Sequence, residues 1–440
     1  MSLPRALFVA REPDETLRTY LPVLSELTAA GRVEPYLLFH HTPGDWARAE
    51  LRQLAVPWEQ VQNPALEPPG GMLGRAAGAT RLATPLGEIG QLRRARTLAA
   101  ALLDRLRPQV LIVIQDTLLL ERFLVRAANQ SGIATLVVQW AFTYPQEYYD
   151  RFQEQKRAAR RRSGARALVA RVTSAAYQAA LGALGLRFVL ANTYGGGEAE
   201  YLAVMGSGFK EQFLAQGARK REVIVSGHPS HDAVFERVRD WTETERIRVL
   251  ESLGFTAQQR LVTYATQPTL WRGVLDFAEL RSMVETVVSA VQAQDERFAL
   301  VVKLHPRESL DDYAFLEGRQ GVRVIRDADV QRLIAASDVF VSSSSSTLLF
   351  AMMFDKPIVT INFHAVPHFE YFAGLGGTLH VRQAERFESA LRAALSDQAT
   401  RAELRAGQRQ VLARYSRFDG GATRRLQTLI EGWALADLKT

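Results

Sequence analysis

Residues 338–352 read DVFVSSSSSTLLFAM, and this stretch decides the fold of its half of the chain. The first residues are apolar and rich in valine, which predicts a buried strand that ends near Ser342. The last residues are apolar again and predict a helix that starts after the hydroxyl-rich run. A buried strand that leads directly into a helix is typical of a parallel α/β sheet.

The same alternation of short apolar runs and helical periodicity extends in both directions from this stretch. In the second half of the chain we predict strands at Leu261–Ala265, Ala299–Leu304, Val322–Ile325, Val339–Ser342 and Ile358–Ile361. In the first half we predict strands at Ala6–Ala10, Pro35–Phe39, Val110–Ile114, Ala134–Gln139, Phe188–Asn192 and Val223–Ser226. The predicted fold class is therefore α/β, with two doubly wound sheets.

The length of 440 residues predicts more than one domain, because a domain usually contains about 150 residues. The turn-prone and charged stretch Gly227–Arg260 separates the two series of strands. We expect a first Rossmann-like domain over 1–235 and a second over 236–420. Residues 421–440 are expected to form a C-terminal helix. One option is that the chain crosses back here, so that this helix packs on the first domain. Ligands of such sheets bind at the carboxyl ends of the strands, so a cleft between the domains is the expected site.

Composition excludes several classes of protein. The chain contains no cysteine, which excludes disulfides, cysteine-ligated zinc, iron–sulfur clusters and a thiol nucleophile. No stretch reaches the roughly 18 apolar residues of a membrane-spanning helix, and the N-terminus lacks the pattern of a signal peptide. We therefore expect a cytoplasmic protein.

The net charge of +7 is concentrated in one segment. Residues 151–190 carry nine basic side chains and one acid, so the rest of the chain is close to neutral. Because apolar residues adjoin these arginines, the segment 151–187 is interpreted as a contact with an anionic membrane surface at the inner face of the cell membrane. A solvated helix and a binding surface for a polyanionic acceptor are the alternatives. Nucleic acid is not an expected partner, since no recognition motif is present.

Two polar runs follow predicted strands of the second domain. The hydroxyl-rich run lies where backbone N–H groups at a helix N-terminus bind anions. Its candidate phosphate-binding residues are Ser343, Ser344, Ser345, Ser346 and Thr347. Capping of the helix is the alternative, but a cap needs only one hydroxyl. The other run contains His305, Pro306 and Arg307, where an imidazole can donate to a phosphate or to a leaving-group oxygen.

These two runs resemble the HP and SS motifs of nucleotide-sugar glycosyltransferases with the GT-B fold. The similar families are the bacterial sialyl-, polysialyl- and Kdo-transferases and the CDP-glycerol glycerophosphotransferases. The resemblance covers most of residues 220–430. It implies two Rossmann-like domains and a nucleotide held by the second. It also implies transfer from a CMP-, CDP- or UDP-linked donor to a glycan or lipid-linked acceptor in the synthesis of a surface polysaccharide such as a capsule.

Two alternative activities follow from related resemblances. A CDP-glycerol-type enzyme would transfer a polyol phosphate instead of a sugar. Non-hydrolysing UDP-N-acetylglucosamine 2-epimerases are similar at Val110–Thr117 and Ser226–Pro229, but they carry a Ser-Gly-Gly and a paired Glu-Glu where this chain has serines and leucines. A binding module without catalysis is a third alternative.

The catalytic base of such a transfer is expected from the first domain. Asp14 and Asp116 both follow predicted strands, and both are equally suited to cap a helix. We expect Glu12, Gly196 and His228 near the substrate, although a turn explains the glycine and a structural role explains the histidine. No metal-ligand spacing is found, so we predict a metal-independent enzyme that needs no cofactor.

Overall fold

The computed structural model describes residues 3–61, 83–143, 177–270, 273–295 and 297–436. The chain divides into two compact units. The first contains the described residues up to 143, together with 177–232 and 421–436, and the second contains 233–420. No described helix combines the length and the apolar character needed to cross a membrane.

The first unit is built on a seven-stranded parallel sheet with the order β3-β2-β1-β4-β5-β6-β7. Its strands are β1 (Arg5–Ala10), β2 (Glu34–Phe39), β3 (Trp58–Gln60), β4 (Val110–Val113), β5 (Ala134–Val138), β6 (Tyr201–Val204) and β7 (Glu222–Val225). Its helices include Pro13–Ala30, Asp45–Gln53, Ala83–Leu106, Leu119–Gln130, Ser207–Ala215 and Ala422–Ala436, and Pro229–Asp240 begins in this unit. The strand order reverses between β1 and β4, which makes that point the topological switch point of the sheet.

The C-terminal helix Ala422–Ala436 packs on the first unit. Leu426, Ile430 and Ala434 are buried in the same core as β1. The Asp232 carboxylate accepts hydrogen bonds from the backbone N–H groups of Ala422 (3.1 Å) and Thr423 (2.7 Å) at the helix N-terminus. The helix is therefore held at its start by a carboxylate and along its length by apolar burial.

The second unit contains a six-stranded parallel sheet with the order β10-β9-β8-β11-β12-β13. Its strands are β8 (Arg260–Ala265), β9 (Phe298–Lys303), β10 (Val322–Ile325), β11 (Val339–Ser342), β12 (Ile358–Ile361) and β13 (Leu379–Val381). Its helices include Glu243–Ser252, Phe277–Gln292, Val330–Ala336, Thr347–Met353, Glu370–Leu375, Phe387–Ser396 and Gln398–Tyr415. The switch point of this sheet lies between β8 and β11.

One predicted strand is wrong. Residues 188–192 form no strand, and the side chain of Val189 is 71% exposed. Phe188 instead packs its ring against Phe123 at 4.9 Å, under the guanidinium of Arg126. The position beside β5 is occupied by β6, whose register pairs Tyr201 with Leu136.

Candidate functional site

Three loops meet at the carboxyl edge of the second sheet. His305 follows β9, residues 266–269 follow β8, and the serine run follows β11. Because neighbouring strands lie about 4.8 Å apart, the HP loop and the serine run are about 10 Å apart, on either side of the end of β8. The fold therefore brings both predicted nucleotide-binding runs to one edge, with the serine run at the switch point and the HP loop one strand away from it.

The ring of His305 has a fixed tautomer in its neutral form. Its Nδ1 accepts a hydrogen bond from the backbone N–H of Arg307 at 3.1 Å. The proton of the neutral ring is therefore on Nε2, which is a donor. Since His305 is half-buried while Pro306 and Arg307 are exposed, the loop presents this donor at the edge of the sheet.

Glu308 stabilises the His305 loop through hydrogen bonds to its buried carboxylate. The Glu308 carboxylate accepts the backbone N–H of His305 at 2.9 Å and the hydroxyl of Tyr313 at 2.8 Å, and it also accepts the hydroxyl of Thr266. Burial raises the pKa of Glu308, although these three donors favour its charged form. Sequence reasoning missed Glu308, for which the only signal is an acid three residues after the histidine.

Lys303 supports the same turn. Its Nζ donates to the carbonyl oxygen of Leu304 at 2.7 Å, and burial lowers the pKa of its ammonium group. The backbone N–H of His305 also lies 3.2 Å from the hydroxyl oxygen of Thr266. The histidine is thus fixed by groups from β8, β9 and the turn itself.

The five predicted hydroxyls of the serine run do not point in one direction. The hydroxyl of Ser343 is directed at the Met283 sulfur at 4.0 Å, and the residue is 1% exposed. The expected contribution of the Ser343 hydroxyl to an anion site is therefore not seen, because the side chain packs into the core. Ser344 donates to the carbonyl oxygen of His368 at 3.4 Å.

The remaining three hydroxyl residues lie at the start of the helix Thr347–Met353. Ser345 accepts the backbone N–H of Thr347 at 3.2 Å and so pairs one N–H group at the helix start, while the N-cap residue Ser346 forms no side-chain cap. Ser346 is exposed, and the buried hydroxyl oxygen of Thr347 has no hydrogen-bond partner. The hydrogen bond of Ser345 fits the alternative in which the run supports the helix start, and the unpaired hydroxyl of Thr347 fits anion binding.

A further hydroxyl at this edge was missed by sequence reasoning. Thr269, in the loop after β8, is 2% exposed, and its hydroxyl oxygen has no hydrogen-bond partner. Buried polar groups in proteins are nearly always paired, so Thr269 is a candidate ligand contact. The available signal was the polar run 266–269 directly after the central strand of the sheet.

In the first unit, Asp14 and Glu12 lie after β1, at the switch point of that sheet. Both side chains are exposed, and the helix Pro13–Ala30 has no side-chain cap at Glu12. A Cβ on Gly44 would lie 2.8 Å from Oδ2 of Asp14, so the carboxylate sits directly over this glycine. Asp14 is therefore an accessible carboxylate in the first turn of the helix.

Asp116 has a different environment. It is fully buried, and its Oδ2 lies 2.5 Å from Nζ of Lys220. The carboxylate also accepts the backbone N–H groups of Gly197 at 3.1 Å and Ala199 at 3.2 Å. A general base must contact the hydroxyl that it deprotonates, and this geometry ties Asp116 to a buried ion pair.

The fold does not bring His228 and Gly196 to Asp14. His228 follows β7, and three strands separate β7 from β1 in the sheet. The imidazole is 3% exposed, its Nδ1 lies 2.7 Å from the Ser230 hydroxyl, and burial lowers its pKa to about 4. A Cβ on Gly196 would lie 2.1 Å from the carbonyl oxygen of Ala191, so the packing of this loop requires glycine.

A buried pair of titratable residues lies near the switch point of the first sheet. Nε2 of His40 is 3.5 Å from Oε1 of Glu121. Burial lowers the pKa of His40 to about 4 and raises the pKa of Glu121 to about 7. Within the described part of the chain, no group of three or more His, Cys, Asp or Glu side chains is arranged to hold a metal ion.

The chain shares its fold with a UDP-GlcNAc 2-epimerase and with glycosyltransferases of known structure. The UDP-GlcNAc 2-epimerase from Neisseria meningitidis, solved with UDP-GlcNAc, is 14% identical with a TM-score of 0.61 and covers 97% of this chain and 100% of its own. The kitacinnamycin glycotransferase is 17% identical with a TM-score of 0.60, and the match covers 98% of this chain and 100% of that protein. A glycosyltransferase from Rickettsia africae is 11% identical with a TM-score of 0.58, and the match covers 99% of this chain and 100% of that protein. Each unit thus has the Rossmann-like architecture of GT-B enzymes.

The sequence itself gives the family. No curated protein matches the chain. The family model described as CDP-Glycerol:Poly(glycerophosphate) glycerophosphotransferase matches residues 201–430, which is more than half of the chain and includes both the HP and the SS run. This match confirms the predicted resemblance. The chain belongs to the CDP-glycerol:poly(glycerophosphate) glycerophosphotransferase family of transferases.

Proposed function

We propose that the protein transfers a polyol phosphate from a CDP-linked donor to a hydroxyl of a polymeric or lipid-linked acceptor, in the synthesis of a surface polysaccharide. The family supports the donor class. The observation that carries the proposal is the fixed tautomer of His305, whose Nδ1 accepts the Arg307 amide. An Nε2–H donor one strand from the switch point, with the Thr347 and Thr269 hydroxyls near the same edge, suits the oxygens of a diphosphate.

The proposed reaction is a displacement at phosphorus. The acceptor oxygen forms a bond to the β-phosphorus of the donor, and the bond from that phosphorus to the bridging oxygen breaks. CMP leaves with the bridging oxygen and its negative charge. The Nε2–H of His305 donates to an oxygen of the departing CMP, which stabilises the charge that develops there.

The acceptor hydroxyl must lose its proton during the transfer. We assign the base to Asp14, because it is exposed at the switch point of the first sheet. Asp116 was an equal candidate by sequence, but its carboxylate is paired with Lys220. The reaction is proposed to need neither a metal ion nor a cofactor, so dialysis against EDTA is expected to leave the turnover unchanged.

Sugar transfer is the second candidate, and the GT-B fold favours it. In that reaction the bond between the anomeric carbon and the donor oxygen breaks. A CDP-linked sugar would then release CDP, whereas a CDP-linked polyol phosphate releases CMP. The identity of the released nucleotide therefore separates the two activities.

A thermal-shift panel with CMP, CDP, UDP and GDP tests the proposal most directly. A nucleotide at about a thousand times its dissociation constant stabilises the folded state by about 4 kcal/mol. We expect cytidine nucleotides to raise the melting temperature most. Absence of any shift would favour a binding module without nucleotide chemistry, and conversion of UDP-N-acetylglucosamine to its 2-epimer, followed by NMR, would favour the epimerase alternative.

Contact with an anionic membrane through the basic segment 151–187 is also part of the proposal. Residues 151–176 lie outside the described residues. The described end of the segment leads to Val189 and Leu190, whose apolar side chains are 71% and 39% exposed. We expect the protein to float with vesicles that contain phosphatidylglycerol, and failure to do so would reassign the segment to the acceptor or to solvent.

A further inference from the structure

Arg11 lies at the switch point of the first sheet, and no hydrogen bond or ion pair to its guanidinium is found among the described residues. It directly follows β1, which lies next to β4 where the strand order reverses. The residue is half-buried, and its Nε atom is inaccessible to solvent and has no hydrogen-bond partner. No carboxylate of the described residues forms an ion pair with the Arg11 guanidinium, although three acids follow in the next four residues.

Within the described part of the chain, the charge of Arg11 is compensated only in part. The guanidinium is close enough to His40 and Glu121 to lower the pKa of each. Glu121, however, lies beside His40 at 3.5 Å, and burial raises its pKa to about 7, so much of it is protonated at neutral pH. A cation that is partly removed from water without a counterion is costly, and proteins usually pair such a group.

We propose that Arg11 binds a phosphate or phosphodiester group of the acceptor. This inference rests on the proposed function, and it adds the acceptor contact to it. The planar fork of a guanidinium suits phosphate oxygens in a bidentate arrangement. Because Arg11 and Asp14 are three residues apart at the same strand end, one acceptor can place its anion on Arg11 and its terminal hydroxyl near Asp14.

The sequence around Arg11 argues for an anion held by this side chain alone. Glu12, Asp14 and Glu15 make the start of the helix Pro13–Ala30 acidic, which disfavours an anion bound by the helix N-terminus. The proposed ligand places its phosphate on Arg11 and a neutral, hydroxyl-bearing part at the acidic turn. A glycerol phosphate chain has both features.

The test uses the full chain and two oligomers of equal length. Binding of a glycerol phosphate tetramer and of uncharged tetraglycerol is measured by calorimetry without donor, for the wild type, Arg11→Met, Arg11→Lys and Arg52→Gln. Arg52 is exposed in the same unit, so Arg52→Gln is the control that removes one positive charge away from the proposed site. CDP binding is measured in parallel on every variant.

We expect the wild type to bind the charged oligomer and to bind tetraglycerol much more weakly. Arg11→Met should weaken the charged oligomer about tenfold to hundredfold, the range for loss of a hydrogen bond to a charged group. The affinity of Arg11→Lys for the charged oligomer should lie between those of the wild type and Arg11→Met. The affinity of Arg52→Gln should equal that of the wild type. CDP binding should be unchanged, and the melting temperature of Arg11→Met should equal or exceed that of the wild type because an uncompensated charge is removed.

Several results would overturn the inference. Equal binding of the charged oligomer by Arg11→Met and the wild type would do so, as would equal binding of tetraglycerol or no binding of either oligomer by the wild type. Loss of CDP affinity in Arg11→Met would assign the arginine to the donor instead. A large loss of stability, or failure of Arg11→Met to fold, would assign it a structural role. Failure of the wild type to bind CDP contradicts the proposed function, but it leaves the oligomer measurement of Arg11 intact.

Discussion

The backbone N–H of His305 donates a hydrogen bond to the Glu308 carboxylate over 2.9 Å, so an acid that follows the histidine by three residues fixes the turn that presents it. The same carboxylate accepts the hydroxyls of Thr266 and Tyr313. Glu308 therefore joins the end of β8, the end of β9 and the short 3₁₀ helix Asp311–Leu316 into one support for the imidazole.

The substitution Glu308→Gln should displace His305 from its catalytic position while the donor still binds. The amide of glutamine has one acceptor oxygen in place of two, so one of the three donors loses its partner. We expect kcat to fall about tenfold, which corresponds to about 1.4 kcal/mol in the barrier, with little change in the KM for the donor. The same substitution at the exposed Glu317 is the control, and an unchanged kcat would contradict the role of Glu308.

The substitution His305→Ala should affect turnover far more than folding. The ring is half-buried, so little apolar contact is lost, whereas the Nε2–H donor disappears. Loss of a positioned acid or donor typically lowers kcat by about 10²- to 10⁴-fold. Turnover and melting temperature are measured on the same preparation. Turnover equal to that of the wild type would remove His305 from the mechanism.

The substitution Asp14→Asn should lower turnover strongly while the protein stays folded. Asp14 is exposed and forms no hydrogen bond among the described residues, so its amide analogue costs little stability. We expect kcat to fall by about 10²-fold or more with unchanged CDP affinity. The neighbouring Glu15→Asn is the control for loss of charge in this turn. If both variants retain activity, another group accepts the proton.

The substitution Asp116→Asn should have the opposite signature. Removal of one partner from the fully buried pair with Lys220 leaves a charge without compensation, which costs about 3–5 kcal/mol. Unfolding in urea measures this cost. The double variant Asp116→Asn with Lys220→Met should regain part of the stability, because both charges are then absent. A stable but inactive single variant would contradict the structural assignment.

The substitution Glu121→Gln should change the pH dependence of stability. The pKa of Glu121 is raised from 4.5 to about 7 in the folded state, so its stabilising effect is complete below pH 4.5 and is lost as the pH rises through 7. The variant, which cannot ionise, should therefore gain stability relative to the wild type between pH 5 and 8. The gain should not exceed about 3 kcal/mol.

His40 contributes the opposite slope to the pH dependence. Its pKa is lowered from 6.5 to about 4, so its contribution is present above pH 6.5 and is lost as the pH falls through 4. Urea unfolding of the wild type and Glu121→Gln at pH 5, 6, 7 and 8 separates the two effects. Glu26→Gln, an exposed position in the same unit, is the control. A difference between variant and wild type that does not depend on pH would contradict the raised pKa of Glu121.

The sequence alone determined the α/β class, the two series of strands and the two runs that the family shares. The physical reason is local. Strands of parallel sheets are buried on both faces, so they are continuous apolar runs that can be recognised without the rest of the chain. β8, β9, β11 and β12 were predicted within one residue of their ends, and His305 and the serine run were found because polar residues follow such strands directly.

Only the tertiary structure decided between features that look alike locally. Phe188–Asn192 and Tyr201–Val204 are both short apolar runs, and contact with β5 selects the second. Asp14 and Asp116 both follow a strand, but Asp116 is buried in an ion pair with Lys220, about a hundred residues further along the chain, whereas Asp14 is exposed. The direction of the Ser343 hydroxyl and the support of His305 by Glu308 likewise depend on side chains that meet only after folding. The same is true of the Arg11 Nε atom, which is buried without a hydrogen-bond partner among the described residues. Whether an individual polar or charged side chain is buried and paired depends on residues that are distant in the sequence, so no local pattern encodes it.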